Sequence, residues 1–225
     1  MISLPPRCLA AVAWLTLLPL PATAVPLLSE VFYDAVGSDN GLSFVEIHGT
    51  PGASVAGWTL EGVNGADGSI GPVVALDGVV PADGLFVVAD ESTVGATLVP
   101  NADLVRNFDF QNGPDSIVLR SGDLVLDAVG YGVFQPGEVF AGEGAPAEDG
   151  AVGTSLARRF ANVDTGNNAA DFSVLAIPTP GVADFAPVPE PATAGLLLGG
   201  LAGLAAAGRW RRDPSAAAFA DRERR

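Results

Sequence analysis

Glycine and proline interrupt the middle of this chain so often that it has little room for a long helix. The 225 residues include 28 glycines and 18 prolines, many of them within residues 25–181. In a helix interior, glycine costs about 1 kcal/mol and proline about 3 kcal/mol relative to alanine. The runs between them are short and rich in β-branched and aromatic residues, a composition that favours strands. The sequence therefore predicts an all-β domain, either a sandwich or a barrel.

Eight short runs in this region have the composition of β-strands, and no uninterrupted segment there shows helical periodicity. Ser121-Gly122-Asp123 separates two of the runs. It predicts a tight hairpin turn, because these residue types tolerate the backbone conformations that such turns need. The candidate strands are residues 27–33, 42–48, 58–62, 73–76, 85–89, 116–120, 124–131 and 172–175.

Seven short motifs follow one another along the same region. They are Leu28-Ser29-Glu30-Val31 with Tyr33-Asp34, Phe44-Val45-Glu46-Ile47, Gly57-Trp58-Thr59-Leu60, Ser116-Ile117-Val118-Leu119, Asp127-Ala128-Val129-Gly130-Tyr131-Gly132, Ser155-Leu156-Ala157-Arg158 and the run 164–181. In this order they resemble a lamin-tail domain, a family that also occurs in secreted bacterial proteins. The resemblance implies an immunoglobulin-like antiparallel β-sandwich over residues 25–181. Where the family often has asparagine after the second strand, this chain has His48-Gly49-Thr50, so the loop there is expected to differ.

The first 24 residues have the order of a secretory signal peptide. Arg7 precedes an apolar run, residues 8–18, which is followed by two prolines and the small-residue triplet Ala22-Thr23-Ala24. This order predicts cleavage by signal peptidase after Ala24. The only cysteine, Cys8, begins the apolar run instead of following it, which excludes a lipoprotein leader. The mature protein is therefore expected to contain neither a disulfide nor a cysteine metal site.

A second apolar block, residues 192–208, lies near the C terminus and is followed by Arg209, Arg211 and Arg212. As a helix it is about 25 Å long, a little short of the roughly 30 Å hydrocarbon core of a membrane. We expect it to form a single transmembrane helix with its arginines in the cytoplasm. Trp210 is expected at the membrane interface, and the β domain is then left outside the cell.

Pro189, Glu190 and Pro191 stand just before this block, after a linker at residues 182–187. The order of Pro-Glu-Pro, apolar span and arginine cluster over residues 188–212 resembles a PEP-CTERM sorting signal. In that family an exosortase, a membrane protease-transpeptidase, cuts near the Pro-Glu-Pro and releases the protein to the surface or to extracellular polysaccharide. A charged tail, residues 213–225, follows where the family usually ends. A plain tail anchor that is not cut therefore stays open as an alternative.

The charge of the central region excludes a role in binding nucleic acid. Residues 25–187 contain 22 aspartates and glutamates against four arginines, and the chain has no lysine. Binding to a phosphate backbone depends on clustered lysine and arginine, which release the condensed counterions. An acidic surface instead suits solubility or attraction of cations outside the cell.

One loop carries a cluster of oxygen ligands: Asp164, Asn167, Asn168 and Asp171. Carboxylate and amide oxygens in a glycine-containing loop are the ligands that Ca²⁺ prefers. The spacing departs from that of an EF-hand loop, which has glycine at the sixth position and glutamate at the twelfth. The alternative is an Asx-rich turn that stabilises its own backbone before Phe172 enters the core. Apart from this calcium site, the sequence predicts no cofactor.

Glu30 and Glu46 lie inside apolar candidate strands and are expected to be partly buried. A buried carboxylate needs a partner. Arg158 is the expected partner, since it shares a strand face with Leu156 if residues 155–160 are extended. Glu30 and Glu46 are also compatible with glycoside hydrolysis, which uses two carboxylates about 5–9 Å apart.

Together these features predict a non-enzymatic module of the cell surface or extracellular matrix that acts in adhesion, recognition or the structure of the envelope and exopolysaccharide. Its expected partners are signal peptidase, exosortase, the membrane and surface polysaccharide. His48 is the only histidine, and the serines around it show no arrangement typical of a catalytic triad. A calcium-dependent binding module and an accessory domain of a secreted hydrolase are the alternatives.

Overall fold

The computed structural model describes residues 24–187, which form ten β-strands and one short helix. The elements are β1 (Leu27–Phe32), β2 (Phe44–His48), β3 (Trp58–Asn64), β4 (Ile70–Ala75), β5 (Leu85–Asp90), β6 (Leu104–Arg106), β7 (Asp115–Ser121), β8 (Leu124–Tyr131), β9 (Ser155–Arg158), α1 (Asn168–Asp171) and β10 (Phe172–Leu175). The prediction of an all-β domain is therefore confirmed.

Both predicted terminal segments lie outside the described residues. This applies to the signal peptide as far as residue 23 and to the transmembrane segment 192–208. It also applies to Pro189, Glu190 and Pro191, to the flanking Arg209, Trp210, Arg211 and Arg212, and to the tail 213–225. Within residues 24–187, no helix has the length and apolar character needed to cross a membrane.

The strands form a β-sandwich of two sheets. One sheet has six strands in the order β10-β9-β1-β2-β5-β6, and the other has four in the order β4-β3-β7-β8. The hairpin predicted at Ser121-Gly122-Asp123 is confirmed, since β7 and β8 pair antiparallel on either side of it. The expectation of a purely antiparallel sandwich is wrong at one edge, where β6 runs parallel to β5. The long connection 91–103 allows this, because parallel neighbours need a crossover of about a dozen residues.

Alternating side chains of the two sheets meet in one hydrophobic core. Leu28, Val31 and Ile47 come from the six-stranded sheet, and Leu60 and Ile117 come from the other sheet, all of them buried. Each such side chain contributes roughly 1.5–3 kcal/mol when it is fully removed from water. This packing fixes which residues of each strand point outward, because successive side chains alternate between the faces.

The six-stranded sheet is covered on its outer face as well, since every residue of β1, β2 and β5 is buried. Part of that face is covered by an apolar cluster that includes Phe32, Phe44 and Val99. Another part is crossed by residues 179–185, which we call the strap. The strap includes the first four residues of the predicted linker, and the sites described below depend on it.

Candidate functional site

Glu30 and Glu46 lie directly opposite each other on β1 and β2, on the outer face of the six-stranded sheet. Their exposed fractions are 1% and 0%, so the prediction that they are buried is confirmed. The pairing of β1 with β2 shifts between Leu28 and Glu30, which marks a β-bulge at Ser29. Ser29 Oγ donates a hydrogen bond to Glu46 Oε1 at 2.6 Å.

The strap supplies three further hydrogen-bond donors to these two carboxyl groups. The backbone N–H of Thr179 donates to Glu30 Oε1 at 2.9 Å, and the Thr179 hydroxyl donates to Oε2 at 2.8 Å. The N–H of Gly181 donates to Glu46 Oε2 at 2.7 Å. Ser155 Oγ also donates to Glu30 Oε1, at 2.5 Å. Glu30 and Glu46 therefore hold the strap on the sheet, and we call the two residues the carboxylate clasp.

The structure contradicts the expectation that Arg158 pairs with Glu30 or Glu46. Arg158 and Leu156 do share a strand face, but this is the inner face, whereas both glutamates point outward. Arg158 instead contacts carboxylates on the inner side. Its Nη2 lies 2.8 Å from Asp127 Oδ2, and its Nη1 lies 2.9 Å from Asp171 Oδ2.

We call Asp127, Arg158 and Asp171 the arginine cluster. The Arg158 and Asp127 side chains are 0% exposed and join β9 of one sheet to β8 of the other. The guanidinium also lies 4.6 Å from the centre of the Phe172 ring. Burial raises the pKa of Asp127 to about 6, although the charge of Arg158 acts in the opposite direction. Asp127 was not predicted as a site residue, although it is a carboxylate in the middle of an apolar strand.

Asn168, one of the predicted calcium ligands, is 0% exposed, and its side chain forms hydrogen bonds with backbone groups. Its Oδ1 accepts hydrogen bonds from the N–H of Gly130 at 2.9 Å and of Glu143 at 2.8 Å. Its Nδ2 donates to the carbonyl of Ala128 at 2.9 Å. The side chain thus ties the start of α1 to strand β8 and to the loop that follows β8.

The other three predicted ligands lie around the arginine cluster. Asp171 accepts from Arg158 and from the Thr165 hydroxyl, the latter at 2.7 Å. Asp164 Oδ1 accepts from the N–H of Gly166 at 2.8 Å, the local bond of an Asx turn, and lies 3.6 Å from Arg158 Nη1. Asn167 Oδ1 accepts from the N–H of Ala145 at 3.4 Å.

Beside the arginine cluster, three carboxylates lie close together in a set that differs from the predicted calcium ligands. Asp127, Glu143 and Asp164 each place one oxygen within 4.8 Å of the others. Burial and, to a smaller extent, the negative charges of Asp127 and Asp164 raise the pKa of Glu143 to about 7. The positive charge beside this set belongs to Arg158, which is paired with both Asp127 and Asp164.

Because Arg158 already pairs with Asp127 and Asp164, we expect millimolar calcium to leave the melting temperature unchanged within about 1 °C. Binding at 100 times the dissociation constant would stabilise the folded protein by about 2.7 kcal/mol, a shift that a melting curve detects easily. Melting curves with added calcium and with a chelator measure the difference. A calcium-dependent rise of several degrees would show that the loop does bind the ion.

The clasp also predicts how stability depends on pH. Burial raises the pKa of Glu46 from 4.5 to about 7, and the charges of Glu30 and Asp83 add to the increase. The folded state therefore holds this proton more tightly than the unfolded chain. The stabilisation is complete below about pH 4.5 and is lost as the pH rises through about 7.

Glu46→Gln should remove this pH-dependent part of the free energy of unfolding, which amounts to a change on the order of 1–3 kcal/mol between pH 4.5 and 8. Glutamine fits the site, since its oxygen can accept from Gly181 and its amide can donate to Ser29. Urea unfolding over this pH range measures the slope of the free energy of unfolding against pH. Glu61→Gln, which alters a partly exposed pair with Arg120 on the other sheet, is the control. A slope equal to that of the wild type would contradict the role of Glu46.

A cavity of about 300 Å³ lies beside the clasp. Its lining includes Glu30, Glu46, Arg159, Thr179 and Asp184, so it is bounded by the sheet on one side and by the strap on the other. The strap therefore does not pack tightly against the sheet along its whole length.

Residues 187–212 match the PEP-CTERM protein-sorting motif. No curated protein shows significant similarity to the chain. The fold and the motif together define a class: an exported β-sandwich protein that carries a C-terminal sorting signal. More particularly, the chain is sorted to the envelope by a system of the exosortase type, and the motif begins just behind the strap.

Proposed function

We propose that the chain is the precursor of a non-enzymatic recognition or structural module displayed at the cell surface or in the extracellular matrix. Signal peptidase removes residues 1–24, and an exosortase cuts near Glu190. The observation that carries the proposal is the match of residues 187–212 to the sorting motif, which starts two residues after Phe185 of the strap. Before that cut, residues 192–208 span the membrane with Arg209, Arg211 and Arg212 on the cytoplasmic side.

The module itself is proposed to be a lamin-tail-like sandwich of the immunoglobulin type. The order of the seven sequence motifs supports this assignment, and the two packed sheets are compatible with it. Its acidic surface and its delivery route favour adhesion, recognition or a structural role within surface polysaccharide.

The contacts of Glu30 and Glu46 support a role without catalysis. A glycosidase needs one carboxyl group free to protonate the leaving group and a second free to act as base or nucleophile. Here Glu30 accepts from Thr179 and Ser155, and Glu46 accepts from Ser29 and Gly181. Both groups are engaged in holding the chain together.

Replacement of Pro189, Glu190 and Pro191 by alanine in the native host tests the proposal. The wild-type protein is expected in the surface or matrix fraction without its C-terminal tail, because the exosortase cuts it. The variant is expected to stay full-length in the membrane fraction. A variant with the exposed Glu148 replaced by alanine is the control and should behave like the wild type. Equal processing of the triple variant and the wild type would contradict the proposal.

A further inference from the structure

We propose that Glu30 and Glu46 are positioning residues for sorting: by holding the strap on the sandwich, they set the point beyond which a processing enzyme can reach the chain. This inference depends on the sorting motif but not on what the module binds. It would therefore survive if the proposed role in adhesion or recognition were wrong.

The strap is bound to the sandwich at several points along its length. The clasp holds Thr179 and Gly181, and between them the Pro180 carbonyl accepts from Asn101 Nδ2 at 2.8 Å. Further on, the carbonyl of Asp184 accepts from the N–H of Ala161 at 2.8 Å. These bonds engage the backbone between the two positions held by the clasp and again behind them.

Apolar packing holds the strap much less firmly than these polar contacts do. Val182 is 64% exposed, and Phe185 is 43% exposed although its ring lies 5.4 Å from that of His48. The cavity beside the clasp removes further contact between strap and sheet. The hydrogen bonds to the two carboxyl groups are therefore the main restraint, because each carboxyl group binds the strap and a serine of the sandwich at the same time.

This restraint has a direct consequence for proteolysis. A protease binds its substrate in an extended conformation and needs backbone groups that are free to pair with the enzyme. The backbone of Thr179, Gly181 and Asp184 is already paired within the sandwich. Cutting within residues 179–184 is thereby disfavoured, and the sorting motif begins further along the chain, at residue 187.

Limited proteolysis of the purified full-length protein in detergent tests the inference. A broad-specificity protease should cut the wild type behind residue 185 and leave the strap intact. Replacing both Glu30 and Glu46 by alanine should produce new cuts within residues 176–185, at a rate about tenfold higher, since cleavage follows the population of the open form. Amide exchange in β7 and β8 should stay unchanged if only the strap opens.

Thr179→Val tests the same point without touching the buried carboxyl groups, so it decides the question if the double variant fails to fold. Loss of the hydroxyl donor to Glu30 should raise cutting within the strap about threefold, and Thr179→Ser should restore the wild-type rate. Thr154→Val is the matched control, because the Thr154 hydroxyl donates only to the nearby Ala151 carbonyl.

In the native host, Thr179→Val should also yield some mature protein that ends within the strap, whereas the wild type should end at one place behind it. Unchanged cut sites and rates in Thr179→Val would overturn the inference. So would a loss of protection in β7 and β8 equal to that of the strap, because that pattern reports general unfolding.

Discussion

Replacing Arg158 by methionine is expected to lower the free energy of unfolding by about 3–5 kcal/mol. The substitution leaves Asp127 and Asp171, whose side chains are 0% and 2% exposed, without their cation. It also removes the donor to the Leu28 carbonyl, 3.0 Å from Arg158 Nε. Breaking a buried pair by removing one partner costs far more than the pair contributes relative to an apolar replacement.

Urea unfolding followed by circular dichroism measures the change. Arg159→Met is the matched control, because Arg159 is exposed and its Nε donates only to the Ala170 carbonyl, so it should cost less than about 1 kcal/mol. Adding Asp127→Asn to Arg158→Met should recover part of the loss, since one uncompensated charge is removed. Equal costs for the two arginine variants would contradict the role given to the arginine cluster.

Asn168→Ala is expected to have the second largest effect, a loss of about 3 kcal/mol. The change removes the partners of three buried or partly buried backbone groups: the N–H of Gly130, the N–H of Glu143 and the carbonyl of Ala128. Each unsatisfied group costs about 1–3 kcal/mol, and water that enters the site offsets part of the total.

The neighbouring Asn167→Ala serves as the control for Asn168→Ala. Asn167 accepts one long hydrogen bond, at 3.4 Å from the N–H of Ala145, so its loss should cost only a few tenths of a kcal/mol. Thermal and urea unfolding of both variants give the comparison. Similar losses at the two positions would show that the Asn168 amide does not hold the loop to β8.

Local composition was enough to predict eight of the ten strands, because each candidate run combines apolar residues with flanking turn signals. All eight runs overlap a strand, and runs 124–131 and 172–175 coincide with β8 and β10. The ends of a strand differ from those of its candidate run where a turn extends further along the chain than the composition suggests. Leu42, for example, donates its N–H to the Asp39 carbonyl within a turn, so β2 starts only at Phe44.

Strands β6 and β9 are absent from the eight candidate runs, and for β6 the reason is physical. It has only three residues, Leu104–Arg106, and its identity as a strand depends on parallel pairing with β5. A run this short carries no periodic signal of its own. Its place at the edge follows from the path of the connection 91–103, which composition does not reveal.

The candidate site also depends on contacts between distant segments, which local composition does not reveal. Burial of Glu30 and Glu46 could be predicted, because both stand in apolar strands. Their partners could not: the Thr179 hydroxyl lies 149 positions from Glu30 in sequence. For Arg158 the strand face was predicted but its partner was not, since the sequence does not tell which sheet faces that side.

The masses of the two ends of the mature protein, isolated from its native host, test the central claim of export and sorting most directly. Removal of the signal peptide and cutting at the sorting motif predict a chain that begins at Val25 and ends between residues 186 and 191. A protein that begins at Val25 but retains Arg225 would contradict exosortase processing. A soluble cytosolic product that still carries Met1 would contradict both export and sorting.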